Sequence, residues 1–125
     1  MLLVIDHQER LIQKIDGNNM ITFNIKRLID SCILLNVEIA ISEQNPSKLG
    51  GTSKEILPLK ELMKFEKMEF SCLKNRTFTN YLNTKNIKNI ILCGIESHIC
   101  ILQTSLDLLT NNFNVIIPRD AIGSR

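Results

Sequence analysis

The sequence predicts an α/β domain built on a parallel sheet, and three observations carry that prediction. Short unbroken apolar runs recur, as at Leu2–Ile5 and residues 89–93; runs without polar alternation fit strands covered on both faces. Stretches with helical spacing lie between them, the clearest being Ile21, Ile25, Leu28, Ile29, Cys32 and Leu35, a broad apolar stripe. Strand and helix therefore alternate, which implies right-handed βαβ crossovers. Finally, 125 residues at 44% hydrophobic content suffice for one core, so residues 1–125 read as a single domain.

In order, Leu2–Ile5 is the first strand, ended by Asp6. A helical turn through Leu11, Ile12 and Ile15 follows, then a loop at residues 16–19. A helix over 20–35 closes at Asn36, a residue suited to a helix end. Residues 37–41 are the second strand and 42–52 a loop. Gly50, Gly51, Thr52, Ser53 and Lys54 are in the wrong order for a phosphate loop, which needs Gly-Lys-Ser/Thr opening a helix directly after a strand. Residues 53–59 form a short helical segment stopped by Pro58. Residues 62–67 alternate as a third strand, and 77–82 are helical. Residues 89–93 are the fourth strand, with a turn at Gly94 and a helix over 98–109. A last strand at 114–117 ends before Pro118.

The net charge of +2, from 15 Lys+Arg against 13 Asp+Glu, is scattered along the chain, which excludes a dedicated nucleic-acid surface. With no Trp and one Tyr, few rings are available for stacking bases. No apolar run approaches the roughly 20 residues of a membrane span, and Asp6 interrupts the first run too early for a signal peptide. The four cysteines, Cys32, Cys72, Cys93 and Cys100, show no CxxC spacing, so no zinc site is expected. A cytoplasmic chain with reduced thiols follows, Cys32 and Cys93 being buried small hydrophobes.

Residues 89–104 carry the chemistry. They read as strand, turn and helix start, placing Cys100 in the first helical turn, where the helix dipole favours a thiolate. Ligands of parallel sheets bind beyond the carboxyl ends of the strands. Asp6 ends the first strand, Lys67 the third, and Cys100 follows the fourth. Taken alone, each has an ordinary reading: Asp6 as a helix N-cap, Lys67 as a solvated charge, Cys100 as a core thiol. Glu96 lines the pocket or lies on the surface. Gln8 positions substrate or satisfies a backbone group, and Phe70 is a pocket wall or a core aromatic. His7 and His98 are expected to be exposed helix-start residues, and Cys72 a bystander.

Together these motifs resemble the isochorismatase-like cysteine hydrolases, which include nicotinamidases and N-carbamoylsarcosine amidases. The carriers are Leu-Leu-Val-Ile-Asp6-His-Gln8, Lys67-Met-Glu-Phe70-Ser71, and Gly94-Ile-Glu-Ser-His-Ile-Cys100 with Thr104 and Asp107. Asp120-Ala-Ile-Gly-Ser124-Arg125 continues the match. Ser42-Glu43-Gln44-Asn45-Pro46 with Leu49-Gly50 points to the branch of isochorismatase domain-containing proteins. The resemblance implies a Rossmann-like three-layer sandwich and a triad of Asp6, Lys67 and Cys100. It further implies a cis peptide at Ile95–Glu96 that helps form an oxyanion hole. The expected activity is hydrolysis of a small carbonyl compound, first an amide, through a thioester; an inactive scaffold is the alternative. Neither metal nor cofactor is expected, since the Asp/His/His set of nicotinamidases is not visible. Family members usually extend past the segment matching 120–125 by a helix, a strand and a helix. The chain is therefore expected to be truncated, as a fragment or with the missing part replaced by a partner, to expose apolar surface on its last helix and strand, and to form a homo-oligomer that takes a small-molecule substrate and binds neither nucleic acid nor membrane.

Overall fold

The computed structural model describes residues 1–59 and 61–125. Its sheet runs in the order β3-β2-β1-β4-β5, from β1 (Leu2–Ile5), β2 (Ile39–Gln44), β3 (Met63–Lys67), β4 (Asn89–Ile95) and β5 (Asn114–Ile116). A two-residue β6 (Ile122–Gly123) rejoins the far end of β4, and every pairing is parallel. The helices are α1 (Glu9–Ile12), α2 (Asn18–Leu34), α3 (Pro46–Leu49), α4 (Arg76–Thr84) and α5 (Leu102–Thr110).

The unbroken apolar run of β1 has the reason the sequence suggested. Leu2 and Val4 pack with Ile21, Ile25 and Ile29 of α2, whereas Leu3 and Ile5 pack with Phe78 of α4 and Leu108 of α5. Successive strand side chains point to opposite faces, so two cores sandwich the sheet and all of β1 is buried. Phe65 stacks on Phe78 at 4.6 Å between centroids, tying β3 to α4. Asn36, at φ +52°, closes α2 in the left-handed conformation that Asn tolerates.

Three expectations need correction. The second strand is Ile39–Gln44, not 37–41. Its last three residues are polar and were read as loop, but they complete the ladder with β3 through Ser42↔Phe65, Glu43↔Glu66 and Gln44↔Lys67. Gly94 is not a turn: it lies inside β4, opposite Ile5 and Ile122. Its φ is +115°, and a Cβ there would stand 2.0 Å from the Ile5 carbonyl oxygen, so only glycine lets β4 approach β1 this closely. The helix after β4 does not open as an α-helix. Ser97–Ile101 is a wide π turn in which the Ile101 N–H reaches the Glu96 carbonyl five residues back, and α5 begins at Leu102.

The expectation of exposed apolar surface on the last helix and strand holds. Leu102, Leu106 and Leu109 form an outward stripe on α5, and Ile116 and Ile117 are exposed at and just after β5. No helix among the described residues is long and apolar enough to cross a membrane.

Candidate active site

The site is assembled by strand register. Ile5 of β1 stands opposite Ser42 of β2, and Gln44 of β2 stands opposite Lys67 of β3. Three neighbouring strands thus end within a residue or two of one another, and the pleat points the side chains of Ser42 and Gln44 to the same face. Asp6 turns off β1 at φ +51°.

Lys67 is the centre of the cluster. Its Nζ lies 2.7 Å from Asp6 Oδ2, 2.6 Å from Gln44 Oε1, 3.3 Å from the Glu69 carbonyl and 3.6 Å from Cys100 Sγ. Ser42 Oγ donates to Asp6 Oδ1 at 2.6 Å, and the Cys100 thiol lies close enough to Asp6 to be raised by its charge. Asp6, Lys67 and Ser42 are buried, and Cys100 is 7% exposed. Burying an ion pair is tolerated only when geometry and extra hydrogen bonds replace the lost water, and here both partners are so supplied. The three residues expected to meet are therefore together.

The protonation of the sulfur departs from expectation. Burial first, and then the negative charge of Asp6, push the Cys100 thiol up to about 12 against the opposing pull of Lys67. Cys100 sits in the π turn ahead of α5, not in the first turn of a long helix, so the dipole argument for a resting thiolate does not carry. Burial pulls the Lys67 ammonium down, but Asp6, Cys72 and Cys100 together outweigh it and the net shift is upward. A thiol raised by burial thus lies beside the buried Lys67–Asp6 ion pair.

The other predicted residues fall around this centre. The Ile95–Glu96 peptide is cis, as the resemblance implies; the Ile95 side chain itself is in the α2-facing core. The Glu96 carboxylate is held by the Arg125 guanidinium at 2.8 and 3.1 Å, and is thereby kept below its ordinary value despite burial. Its carbonyl takes the N–H groups of Ile99 and Ile101, so those two amides face inward rather than toward a ligand. Gln8 has no reach to spare for substrate. Its Oε1 accepts the Gln44 N–H at 2.8 Å, and its Nε2 donates to the Gln44 and Gly50 carbonyls. The side-chain amide thus continues, in place of backbone, the ladder that β1 leaves unfinished. Phe70 is not a core aromatic; half-exposed, it lines a cavity of about 430 Å³ with Glu69, Gln103 and Leu106.

His98 is exposed and contacts Ser124, as expected. His7 is not exposed: it is fully buried, bonded to Thr22 Oγ1 at 2.9 Å, with burial lowering it to about 4. Its Nδ1 lacks a partner among the described residues. Cys72 is also more than a bystander in position. It is wholly buried and close enough to feel the charges of Asp6 and Lys67. Motif residues far apart in sequence prove to be mutual partners: Ser71 Oγ donates to Asp107 Oδ2 at 2.7 Å, and the Cys72 N–H donates to Thr104 Oγ1 at 3.1 Å. These bonds fasten the segment after β3 against α5. Ser42 and Gln44 were missed as site residues. The available signal was their same-face spacing, obscured because polar Ser-Glu-Gln reads as loop. Among the described residues no three His, Cys, Asp or Glu side chains converge as metal ligands.

Residues 1–125 match the family profile described as isochorismatase domain. Isochorismatase family protein 1A of Dictyostelium discoideum is 35% identical over 130 residues, covering 99% of this chain and 63% of that protein. Isochorismatase domain-containing protein 2 of Xenopus laevis is 33% identical over 125 residues, covering all of this chain and 60% of that protein. Among solved structures, the MAR1 ribonuclease of Caenorhabditis elegans matches with a TM-score of 0.90 at 35% identity, over 98% of this chain and 64% of its own. The N-carbamoylsarcosine amidase of Thermoplasma acidophilum matches with a TM-score of 0.89 over 99% of this chain and 83% of its own, at 18% identity, a likeness of fold alone. The chain spans 60–63% of the length of the two curated relatives described.

Proposed function

The chain belongs to the isochorismatase family of hydrolases, and from that premise we propose that it is a cysteine-dependent hydrolase of a small carbonyl compound, an amide being the favoured class. The observation that carries this reading is the single ammonium of Lys67, 2.7 Å from the Asp6 carboxylate and 3.6 Å from the Cys100 sulfur. A buried charge pair held against a thiol is an acid, a base and a nucleophile in contact.

In this reading Asp6 takes the proton of Cys100 as the sulfur attacks the carbonyl carbon. Lys67 offsets the charge that develops on sulfur, which the buried neutral thiol cannot bear unaided. Collapse of the tetrahedral adduct breaks the C–N bond, and the proton on Asp6 leaves with the amine. Water, deprotonated by Asp6, then attacks the thioester, and the proton returns to the thiol as the acid departs. An amide fits because its poor leaving group needs the proton that Asp6 carries. Screening small amides with the wild-type chain and with Cys100→Ala tests the proposal; turnover that survives the substitution removes it.

A scaffold role is the second reading, favoured by a nucleophile that is 7% exposed and resting as a thiol. Alkylation of Cys100 separates the two. Modification that depends on Lys67 supports the hydrolase; a rate no different from an ordinary buried thiol supports the scaffold. We also propose that the chain self-associates through the stripe Leu102, Leu106 and Leu109, since soluble chains seldom leave such stripes uncovered. Sedimentation that stays monomeric at high concentration refutes this.

A further inference from the structure

We propose that Ser42 and Gln44 are the positioning residues of this site, Ser42 fixing the Asp6 carboxylate and Gln44 the Lys67 ammonium so that both meet Cys100. The inference rests on the reading of Asp6, Lys67 and Cys100 as the reactive set, and adds two residues that act through Asp6 and Lys67 rather than on the substrate.

The argument starts from geometry. β2 lies between β1, which delivers Asp6, and β3, which delivers Lys67. Ser42 and Gln44 are two residues apart, so their side chains share the face on which the pair is built. Ser42 Oγ donates to Asp6 Oδ1 at 2.6 Å and lies 3.3 Å from the Asp6 N–H, whose backbone partner is the Ser42 carbonyl at 3.2 Å. One residue thus holds both the main chain and the side chain of Asp6. This leaves Oδ2 to Lys67.

Gln44 does the same for the lysine. Its Oε1 accepts from Lys67 Nζ at 2.6 Å, and its Nε2 donates to the Met68 carbonyl at 2.9 Å. The amide is therefore oriented by both ends, and its oxygen faces the ammonium. Gln8 in turn holds the Gln44 backbone from both sides. An ammonium has three donors, and a buried one needs them met. Asp6 and Gln44 make the two short bonds; Glu69 and Cys100 are more distant. Removing the Gln44 oxygen leaves a short, buried donor open, and removing the Ser42 hydroxyl frees half of the carboxylate. The titratable groups facing Lys67 are Asp6 from β1, Cys100 from the π turn and Cys72 from the turn after β3; Gln44 is the neutral partner among them.

The experiment uses the full chain, iodoacetamide as the thiol probe with Cys100 followed by peptide mass spectrometry, and Lys67 titrated through 13Cε-labelled lysine. Gln44→Leu is expected to lower the Lys67 midpoint by about one pH unit, as an unpaired buried cation would, while Gln44→Glu holds it at or above wild type. Ser42→Ala is expected to slow Cys100 alkylation about tenfold, since the carboxylate that receives the thiol proton is no longer held in place, and Ser42→Thr restores the rate. Should the Leu or Ala variant not fold, a Gln44→Glu midpoint below wild type, or a Ser42→Thr rate moved from it, overturns the assignment. An unchanged Lys67 midpoint in Gln44→Leu and unchanged Cys100 alkylation in Ser42→Ala, beside altered alkylation in Lys67→Met and Asp6→Asn, overturn it while leaving the hydrolase reading intact. Cys100 alkylation indifferent to Lys67→Met and Asp6→Asn defeats the hydrolase reading itself.

Discussion

The carboxyl edge of the sheet and the outer flank of α5 invert the usual partition of side chains. At the edge, Asp6, Ser42 and Lys67 are buried and Gln44 is partly so, each with a hydrogen-bond partner. On the flank, Leu102, Leu106 and Leu109 are exposed. Buried polar groups and contiguous exposed apolar ones are the two informative departures from ordinary burial. The first marks where charge is stored out of water, at a cost that only chemistry or specificity explains. The second is the surface through which self-association is proposed. A change at the edge should therefore cost activity or stability, and a change on the flank should cost association.

The largest expected effect is on chemistry. Cys100→Ala should lower amide hydrolysis by about 10⁴-fold or more, the scale of losing a nucleophile, read as amine release; a loss below tenfold breaks the comparison. Next is Gly94→Ala, whose methyl would collide with the Ile5 backbone beside Asp6. It should destabilise by about 4 kcal/mol or more, measured by urea unfolding, and a near-neutral result would show that β4 and β1 can separate. Lys67→Met should cost about 3 kcal/mol, because it strands a buried carboxylate. The double variant with Asp6→Asn should cost less than the sum of the two single variants, and additivity would mean that the pair is not coupled.

The dependence on pH sharpens the same contrast. Cys100 is raised from 9.0 to about 12 and Lys67 is raised from 10.5, so each contributes stability that is fully present below its unfolded value. That contribution is lost as pH rises, from about pH 9 upward for the thiol. His7 is lowered from 6.5 to about 4, so its contribution is present above 6.5 and fades as pH falls toward 4. Stability should be level near neutrality and fall on both sides; alkylation of Cys100 should still be climbing above pH 9. A plateau near pH 7 would mean a resting thiolate. The smallest effect is expected on the flank: Leu106→Ser should change stability by no more than about 0.5 kcal/mol while weakening self-association in sedimentation.

The elements were legible where periodicity was strong. The α2 stripe and the run of β1 needed no tertiary information, because their apolar residues have one place to go. The cluster of Asp6, Lys67 and Cys100 was legible only through collinear motifs, since neither Asp6 nor Lys67 is distinctive alone. Ser42 and Gln44 were illegible as site residues: a polar strand end is indistinguishable from a loop until its neighbours are known. His7 was misplaced for the same reason, an imidazole being equally at home in water and against Thr22.

What the sequence determined by itself is the order of strands and helices and the parallel sheet they imply, with Asp6, Lys67 and Cys100 at or just past strand ends, because hydrophobic period and chain order are local properties. The tertiary structure alone decided how far β2 extends, that Gly94 lies inside a strand, and that burial raises the Cys100 thiol. Register, close approach and desolvation arise between segments far apart in the chain, and no local pattern encodes them.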